Sequence, residues 1–262
     1  MVVLVYMVGG MSSRFGGIKQ LCRVGPNNET LLEISIMQAL KQPFRKIIFI
    51  TNKKTESLFK EIFNDSYNKT PIEYISQNYD IKKRIRPWGT TDAICCLLGK
   101  VDEPFILVNS DDIYGEDAFK QGYNYLHTTS KNIIGVSYVK NTICGKGLIN
   151  RGIVETQKDS DIVLSLKETL GINTETMTNY LHKLCNVNFI CLQPFVLQHL
   201  NNCLIEFKQN HIDNSKIEAL LPDDLNRLIV ADTIKLNYFT IKNKIISLTY
   251  PSDVNIVKEY LK

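Results

Sequence analysis

A glycine-rich turn, two cations and a pair of aspartates are the residues whose types and spacing could do chemistry in this chain. The segment Val8-Gly9-Gly10-Met11-Ser12-Ser13-Arg14-Phe15-Gly16-Gly17-Ile18-Lys19-Gln20 follows an apolar run and combines small residues with Arg14 and Lys19. A strand running into such a turn can aim successive backbone N–H groups at an anion, because small side chains let phosphate oxygens approach. Arg14 and Lys19 add the positive charge that a triphosphate requires. The spacing fits neither the G-x-x-x-x-G-K-[ST] phosphate loop nor the G-x-G-x-x-G dinucleotide turn. Taken alone, the segment reads equally well as a flexible glycine turn with two solvated cations.

Further along, Asn109-Ser110-Asp111-Asp112 places two carboxylates where the apolar run 104–108 ends. Open α/β sheets bind ligands at the carboxyl ends of their strands, and Mg²⁺ favours one or two carboxylates completed by phosphate oxygens and water. Asp111 is therefore the expected principal ligand of a Mg²⁺ ion, with Asp112 the lesser candidate. The alternative for both is an aspartate that caps the turn or the next helix.

These groups need rigid elements to position them. Strand-like runs at 2–8, 46–51, 72–76, 105–108 and 133–139 alternate with helix-like stretches such as 30–41, 55–64 and 91–99. That alternation predicts a mostly parallel sheet, and continuous β-branched runs suit strands covered by helices on both faces. Beyond about residue 140 the pattern shifts to shorter strands, at 152–155, 163–167, 187–192, 235–241 and 245–248. Helices are predicted at 176–184, 194–209, 224–231 and from Ser252 onward. With no Pro/Gly/Ser linker and no internal repeat, residues 1–262 are expected to form one domain, a nucleotide half over about 1–140 and an acceptor half over 141–262.

Composition bounds the partners. A chain of 262 residues, 44% hydrophobic and 22% charged, can build a sizeable core. The net charge of +4 arises from dispersed residues without a basic run or stripe, which argues against a nucleic-acid surface. The seven cysteines form no C-x-x-C pair and are expected to be buried thiols in a reducing compartment, so a cytoplasmic location is anticipated. The four histidines lack zinc spacing, and no apolar stretch approaches the ~20 residues needed to cross a bilayer. A soluble protein with no membrane partner is expected; its oligomeric state is not readable.

The glycine turn resembles the L-A-A-G-x-G-[ST]-R-x-x-x-x-K signature of sugar-nucleotide pyrophosphorylases. It is closer still to a bacterial-type group of nucleotidyltransferases with the pattern A-A-G-M-G-S-R-[YF]-G-G-[LI]-K-Q. The resemblance continues in the same order through Val24-Gly25-Pro26-Asn27-Asn28-Glu29-Thr30, Pro87-Trp88-Gly89-Thr90, Asn109 to Gly115, Arg151-Gly152-Ile153 and Thr249-Tyr250-Pro251-Ser252-Asp253. It departs at Ser12, which stands where the second signature glycine lets the backbone lie against a nucleotide. Gly9 replaces the usual alanine, and Thr91-Asp92 stands where relatives often carry glycine or alanine and then histidine.

Membership of the sugar-1-phosphate nucleotidyltransferases implies a single Rossmann-like, GT-A type, three-layer αβα domain with a mixed, mostly parallel central sheet. It implies catalytic roles for Arg14, Lys19 and Asp111, and nucleotide contacts from Gly9, Gly10, Met11, Ser12, Ser13, Gln77, Gly89 and Thr90. A glutamine amide offers a donor and an acceptor, which suits the mixed edge of uracil or thymine. The family's second metal ligand comes from a late strand or its exit, for which Asp253 is the nearest residue, with helix capping as its alternative. Gly152, Glu168 and Asn188 correspond to acceptor-site segments and would grip sugar hydroxyls, unless they are polar residues at a strand edge.

The implied reaction joins UTP or dTTP to a sugar 1-phosphate, glucose or N-acetylglucosamine 1-phosphate being the expected acceptors, with release of pyrophosphate and Mg²⁺ as cofactor. Because the attacking phosphate oxygen is already anionic, no protein nucleophile is needed. Three other readings stay open. One is cytidylyl transfer to phosphocholine or a polyol phosphate. Another is a glycosyltransferase using Ser110-Asp111-Asp112 as its D-x-D equivalent, which leaves Arg14 and Lys19 unexplained. The last is a nucleotide-binding regulator without catalysis.

Overall fold

The computed structural model describes residues 1–10, 15–142, 149–172, 177–248 and 250–261. In chain order the elements are β1 (Val3–Met7), α1 (Leu31–Ala39), β2 (Ile47–Thr51), α2 (Glu56–Phe63), β3 (Ser66–Tyr67), β4 (Thr70–Ser76) and α3 (Thr90–Cys95). Next come β5 (Phe105–Asn109), β6 (Asp112–Ile113), α4 (Glu116–Thr128), β7 (Asn132–Tyr138), β8 (Ile149–Thr156), β9 (Val163–Ile172) and β10 (Leu184–Leu192). The last are α5 (Val196–Asn210), α6 (Leu221–Val230), β11 (Leu236–Thr240), β12 (Ile246–Ser247) and α7 (Asp253–Tyr260).

Successive side chains of a strand point to opposite faces, and β1 shows what this does to the core. Leu4 and Tyr6 pack into one apolar cluster with α1, α2 and α4 residues such as Ile36, Phe59 and Phe119. Val3 and Val5 pack into a second with α3, α5 and α6 residues such as Ile94, Leu200 and Leu225. An unbroken apolar run is thus what a strand covered on both sides requires. Helices, sheet and helices form three layers, as expected for an αβα domain.

The main sheet runs β11-β7-β10-β5-β1-β2-β4-β3, with the β8–β9 hairpin attached to β10. Pairs β1–β2, β1–β5, β2–β4 and β11–β7 are parallel, while β10 lies antiparallel to both β5 and β7. The sheet is therefore mixed and mostly parallel. A separate two-stranded ribbon, β6 with β12, is backed by a small cluster of Val24, Leu31, Ile113, Leu248 and Val257, the last from α7.

Local signals explain several boundaries. Thr30 and Glu33 form a capping box, Glu33 N–H donating to Thr30 Oγ1 at 3.2 Å and Thr30 N–H to Glu33 Oε2 at 2.7 Å, which starts α1. Helix α3 is shorter than anticipated, ending at Cys95 rather than Gly99. The helix predicted over 176–184 is not formed in its described part: a single 3₁₀ turn at Met177–Asn179 precedes β10, whose Leu184 and Cys185 pair with Tyr138 and Ser137. Strand pairing overrides the weak helical period there. Strand β9 runs on to Ile172, past the expected Lys167, because it pairs along β8 as far as Ile149. Helix α4 was not among the helices anticipated, since its N-cap is Gly115 at φ 86° and no capping side chain announces it.

Among the described residues no helix is long and apolar enough to cross a membrane. The described cysteines are unpaired, with Cys185, Cys191 and Cys203 buried and Cys22, Cys95 and Cys96 partly so. Burial pushes the Cys95 thiol up to about 12 and Cys96 to about 11.

Phe49 of β2 meets Tyr6, Phe59, Phe63 and Tyr74 edge to face at centroid distances of 5.3 to 6.2 Å. Phe49→Ala should therefore cost ~3–5 kcal/mol, read as a lower midpoint in urea unfolding; an unchanged midpoint would show that this aromatic cluster does not hold the sheet's first face together.

Candidate functional site

The carboxyl ends of β1 and β5 lie side by side, because Val3–Met7 pairs in parallel with Phe105–Asn109 residue for residue. From these ends the chain turns into the two segments that the sequence marks out. Ser110 Oγ donates to Met7 O at 2.6 Å, fastening one exit to the other. Gly9 follows, its carbonyl accepting from Asn52 Nδ2; a Cβ there would lie 3.1 Å from Thr51 C, so glycine gives the turn a close approach to the end of β2. Met11, Ser12, Ser13 and Arg14 lie outside the described residues.

Lys19 begins a short 3₁₀ turn, and its Nζ is ion-paired with Asp111 Oδ2. Next to it Gln20 is buried, with Nε2 near Val8 O and Gly10 O at 3.4 and 3.5 Å, so it braces the start of the glycine turn. Asp112 is buried behind Asp111. Its Oδ2 accepts from Asn109 Nδ2 at 2.9 Å and Tyr114 OH at 3.2 Å, and its Oδ1 from Ser247 Oγ of β12. Burial, and then the Asp111 charge, push its carboxyl up to about 6. Asp112 is thus held by three hydrogen bonds within the protein, whereas Asp111 is partly exposed and paired with Lys19.

Tyr114 ties this cluster to β10. Its hydroxyl lies 3.0 Å from Val187 O and 3.3 Å from Asn188 O as well as against Asp112, and it accepts from Asn109 N–H at 3.3 Å. Burial holds the phenol well above its ordinary pKa, so it keeps the proton it donates.

Two cavities meet at Asp111. One, of about 340 Å³, is lined by Gly9, Gly10, Lys19, Gln77, Gly89 and Thr90 together with Asp111. The other, of about 300 Å³, is lined by Arg151, Gly152, Glu168, Asn186 and Asn188 together with Asp111 and Asp112. Asn109 and Asp111 line both.

In the first cavity, Gly89 is the N-cap of α3 at φ 106°, packed against Ala219, whose backbone N a Cβ at this position would meet at 2.8 Å. Gln77, one residue past β4, donates Nε2–H to Gly89 O at 2.9 Å and to Asp92 Oδ2 at 2.8 Å. Thr90 Oγ1 accepts from Leu221 N–H at 2.9 Å and so fixes the start of α6. Glu218 and Leu220, from the segment before α6, complete the wall. Arg84 anchors that segment: its guanidinium lies 3.4 Å from the Trp88 ring centroid and donates to Asn214 O at 2.8 Å and Ile217 O at 2.5 Å.

In the second cavity, Gly152 of β8 lies opposite Glu168 of β9, where a Cβ would approach Glu168 Oε2 at 3.4 Å. Burial, then Asp223, raise the Glu168 carboxyl above its ordinary pKa, and Arg151 partly opposes them. Asn188 sits at φ 56° in the bulge that interrupts β10 between Asn186 and Phe189, and the two asparagines hydrogen-bond each other at 3.0 Å. A bulge re-aims side chains, and here it turns this pair toward the cavity. Arg151, the cation in this wall, is held by Thr142 Oγ1 at 2.8 Å and Thr142 O at 2.7 Å.

The structure therefore brings together Gly9, Gly10, Lys19, Gln77, Gly89, Thr90 and Asp111 in one wall, and Gly152, Glu168 and Asn188 in the adjoining one. Asp253 lines neither cavity. It is the first residue of α7, and its Oδ2 accepts from Tyr250 N–H at 2.8 Å, a bond to the segment before the helix, while the N-cap residue Ser252 makes no side-chain capping bond. Among the described residues, no group of three or more His, Cys, Asp or Glu side chains converges as a metal cage. Sequence reasoning did not single out Ser110 or Arg151, although both lie inside the marked motifs. Glu218, Leu220 and Ser247 carry no local signal.

The family model described as "Nucleotidyl transferase" matches residues 5–168. No curated protein sequence matches the chain. Among solved structures, the chain is similar to UDP-glucose pyrophosphorylase complexed with UDP-glucose, at 14% identity and TM-score 0.70, covering 98% of this chain and 97% of that one. It is similar to the inositol-1-phosphate CTP transferase from T. maritima at 12% identity and TM-score 0.68, with 99% and 96% covered. UTP-bound UGPase from Acinetobacter baumannii gives 14% identity and TM-score 0.67, with 98% and 92% covered. Identities this low show a shared fold.

Gly89→Ala would force both a left-handed backbone and a shift of Ala219. It should destabilise the protein by ~2 kcal/mol or more and distort the first cavity. Unfolding in urea tests this, and an undiminished midpoint would mean that the Gly89–Ala219 contact is not a constraint.

Proposed function

Since the chain belongs to the nucleotidyl transferase family, we propose that it couples UTP or dTTP to a sugar 1-phosphate and releases pyrophosphate. The observation that carries this reading is that Asp111 lines both cavities. A reaction between two phosphorylated substrates needs its metal-binding carboxylate at the boundary between them. The nucleotide occupies the cavity of Gly9, Gly10, Gln77, Gly89 and Thr90, with its phosphates toward Lys19. The sugar occupies the cavity of Gly152, Glu168 and Asn188, glucose or N-acetylglucosamine 1-phosphate being the expected acceptors.

The donor set suits Mg²⁺, since a hard cation takes one or two carboxylates and fills its remaining positions with phosphate oxygen and water. Asp111 would be the protein's share, with Asp112 behind it already engaged by Ser247, Asn109 and Tyr114. When bound, the ion would neutralise triphosphate charge. A triphosphate competes for Lys19 in the same way that a cation competes for Asp111, so ligand binding would exchange one ion pair for two.

In the reaction, an oxygen of the sugar 1-phosphate attacks the α-phosphorus, a new P–O bond forms, and the bond to the β-phosphate oxygen breaks as pyrophosphate leaves. The attacker carries no proton to remove, so the protein's tasks are alignment and charge stabilisation. Lys19 would face the charge that grows on the departing phosphates, and the sequence resemblance gives Arg14 the same task. Arg151, in the wall of the second cavity and already bonded to Thr142 and Asn150 O, would offer its remaining N–H groups and its charge to the acceptor's phosphate. The Glu168 carboxylate and the Asn188 carboxamide offer hydrogen bonds to sugar hydroxyls.

A matrix of nucleoside triphosphates against sugar 1-phosphates with Mg²⁺, followed by pyrophosphate release, tests the reading. Asp111→Ala and Arg14→Ala should each lower turnover ~10²-fold or more, and Lys19→Ala should chiefly raise the KM for triphosphate. Near-normal turnover in both of the first two variants would sink the assignment. Glu168→Gln keeps the shape of the sugar cavity but removes a charged acceptor. It should raise the KM for sugar 1-phosphate ~10-fold while leaving that for triphosphate unchanged; equal effects on both would remove Glu168 from the sugar site.

A further inference from the structure

Gln77 could offer a base either end of its amide, yet its surroundings permit only one. Both acceptors beside Nε2, Gly89 O at 2.9 Å and Asp92 Oδ2 at 2.8 Å, lack a hydrogen to give back. Rotating the amide by half a turn would set its oxygen against a carbonyl and a carboxylate in a buried place, since Gln77 is 8% exposed and Asp92 6%. With both Nε2 hydrogens committed, Oε1 is left to face the cavity, and no described residue donates to it.

Asp92 is itself held. Lys208 reaches across from α5 and donates Nζ–H to Asp92 Oδ1 at 2.5 Å, with its ammonium 5.7 Å from the Trp88 ring centroid. The relay is therefore Lys208 to Asp92 to Gln77, and the last member presents an acceptor.

We infer that Asp92 and Lys208 are positioning residues that lock Gln77 oxygen-outward, and so restrict the nucleotide to a base whose edge brings an N–H. Uracil and thymine carry N3–H between two carbonyls and satisfy Oε1. Cytosine carries a bare N3 at that place, which would face Oε1 lone pair to lone pair. The inference rests on the proposed placement of the nucleotide base beside Gln77, and it assigns the choice among pyrimidines to residues that touch no substrate.

The test is calorimetric binding of UTP and CTP to the intact chain, run beside pyrophosphate release, with thermal melting to confirm folding. The wild-type chain should favour UTP roughly tenfold to a hundredfold. In Asp92→Asn the new carboxamide keeps its oxygen on Lys208 and turns its NH₂ toward Gln77, so that the flipped amide gains a donor and only Gly89 O still opposes it. The UTP preference should then fall about tenfold or more. In the double variant Asp92→Asn, Lys208→Met the ammonium is gone, the carboxamide can turn its oxygen back to Gln77, and the preference should return.

A merely structural Asp92 would weaken both nucleotides equally, and the second substitution would rescue neither. That result, or a wild-type chain that binds UTP and CTP alike, overturns the inference while leaving nucleotidyl transfer intact. A wild-type chain that neither binds a triphosphate nor releases pyrophosphate overturns the proposed function, and this inference with it.

Discussion

Parallel pairing of Val3–Met7 with Phe105–Asn109 brings the ends of two buried strands to the same level, and the site depends on that register more than on any single contact. Where β1 ends, the glycine turn begins; where β5 ends, Ser110, Asp111 and Asp112 follow. Lys19 and Asp111 meet because these two exits meet. A shift of one residue in either strand would turn alternate side chains to the opposite core and separate the pair. The interaction of Ser110 with Met7 O fastens the register at the point where it matters.

The second half of the chain is joined to this pair through β10. Lying antiparallel between β5 and β7, β10 places its bulge beside Asn109, and Tyr114 connects the bulge carbonyls to Asp112 through one buried hydroxyl. The β8–β9 hairpin, attached to β10, then sets Gly152 opposite Glu168 at the edge of the same cavity. Strand ends thus carry Lys19 and the two aspartates, while the bulge and hairpin carry the carboxamides and the Glu168 carboxyl of the adjoining cavity. Rigid elements on both sides of Asp111 restrict the geometry in which two substrates could meet, which is where positioning contributes most to catalysis.

What was legible in the sequence was local. The β1 and β2 strands show as unbroken apolar runs, and the glycine turn and the paired aspartates show as composition at a strand exit. Gly89 could be placed at a helix start, and the described residues of the nucleotide and sugar sets read from successive motifs line two adjoining cavities. Features that depend on partners far away were not legible. Ser247 rather than Asp253 stands beside Asp112, because β12 pairs with β6 while Asp253 turns back to Tyr250. Glu218 and Leu220 reach the first cavity only because Arg84 and Ala219 tie their segment to the 84–91 stretch. The unusual Asp92 reads as a departure in sequence, yet in space it accepts from both Gln77 and Lys208.

The central claim is that two substrates react directly across Asp111, without a covalent intermediate on the protein. The stereochemical course at the α-phosphorus tests it most directly. One diastereomer of UTP bearing sulfur on the α-phosphate would be turned over with a sugar 1-phosphate, and the configuration of the product read by phosphorus NMR. A single in-line displacement predicts inversion. Retention would reveal two displacements through a nucleotidylated side chain, and would contradict the account.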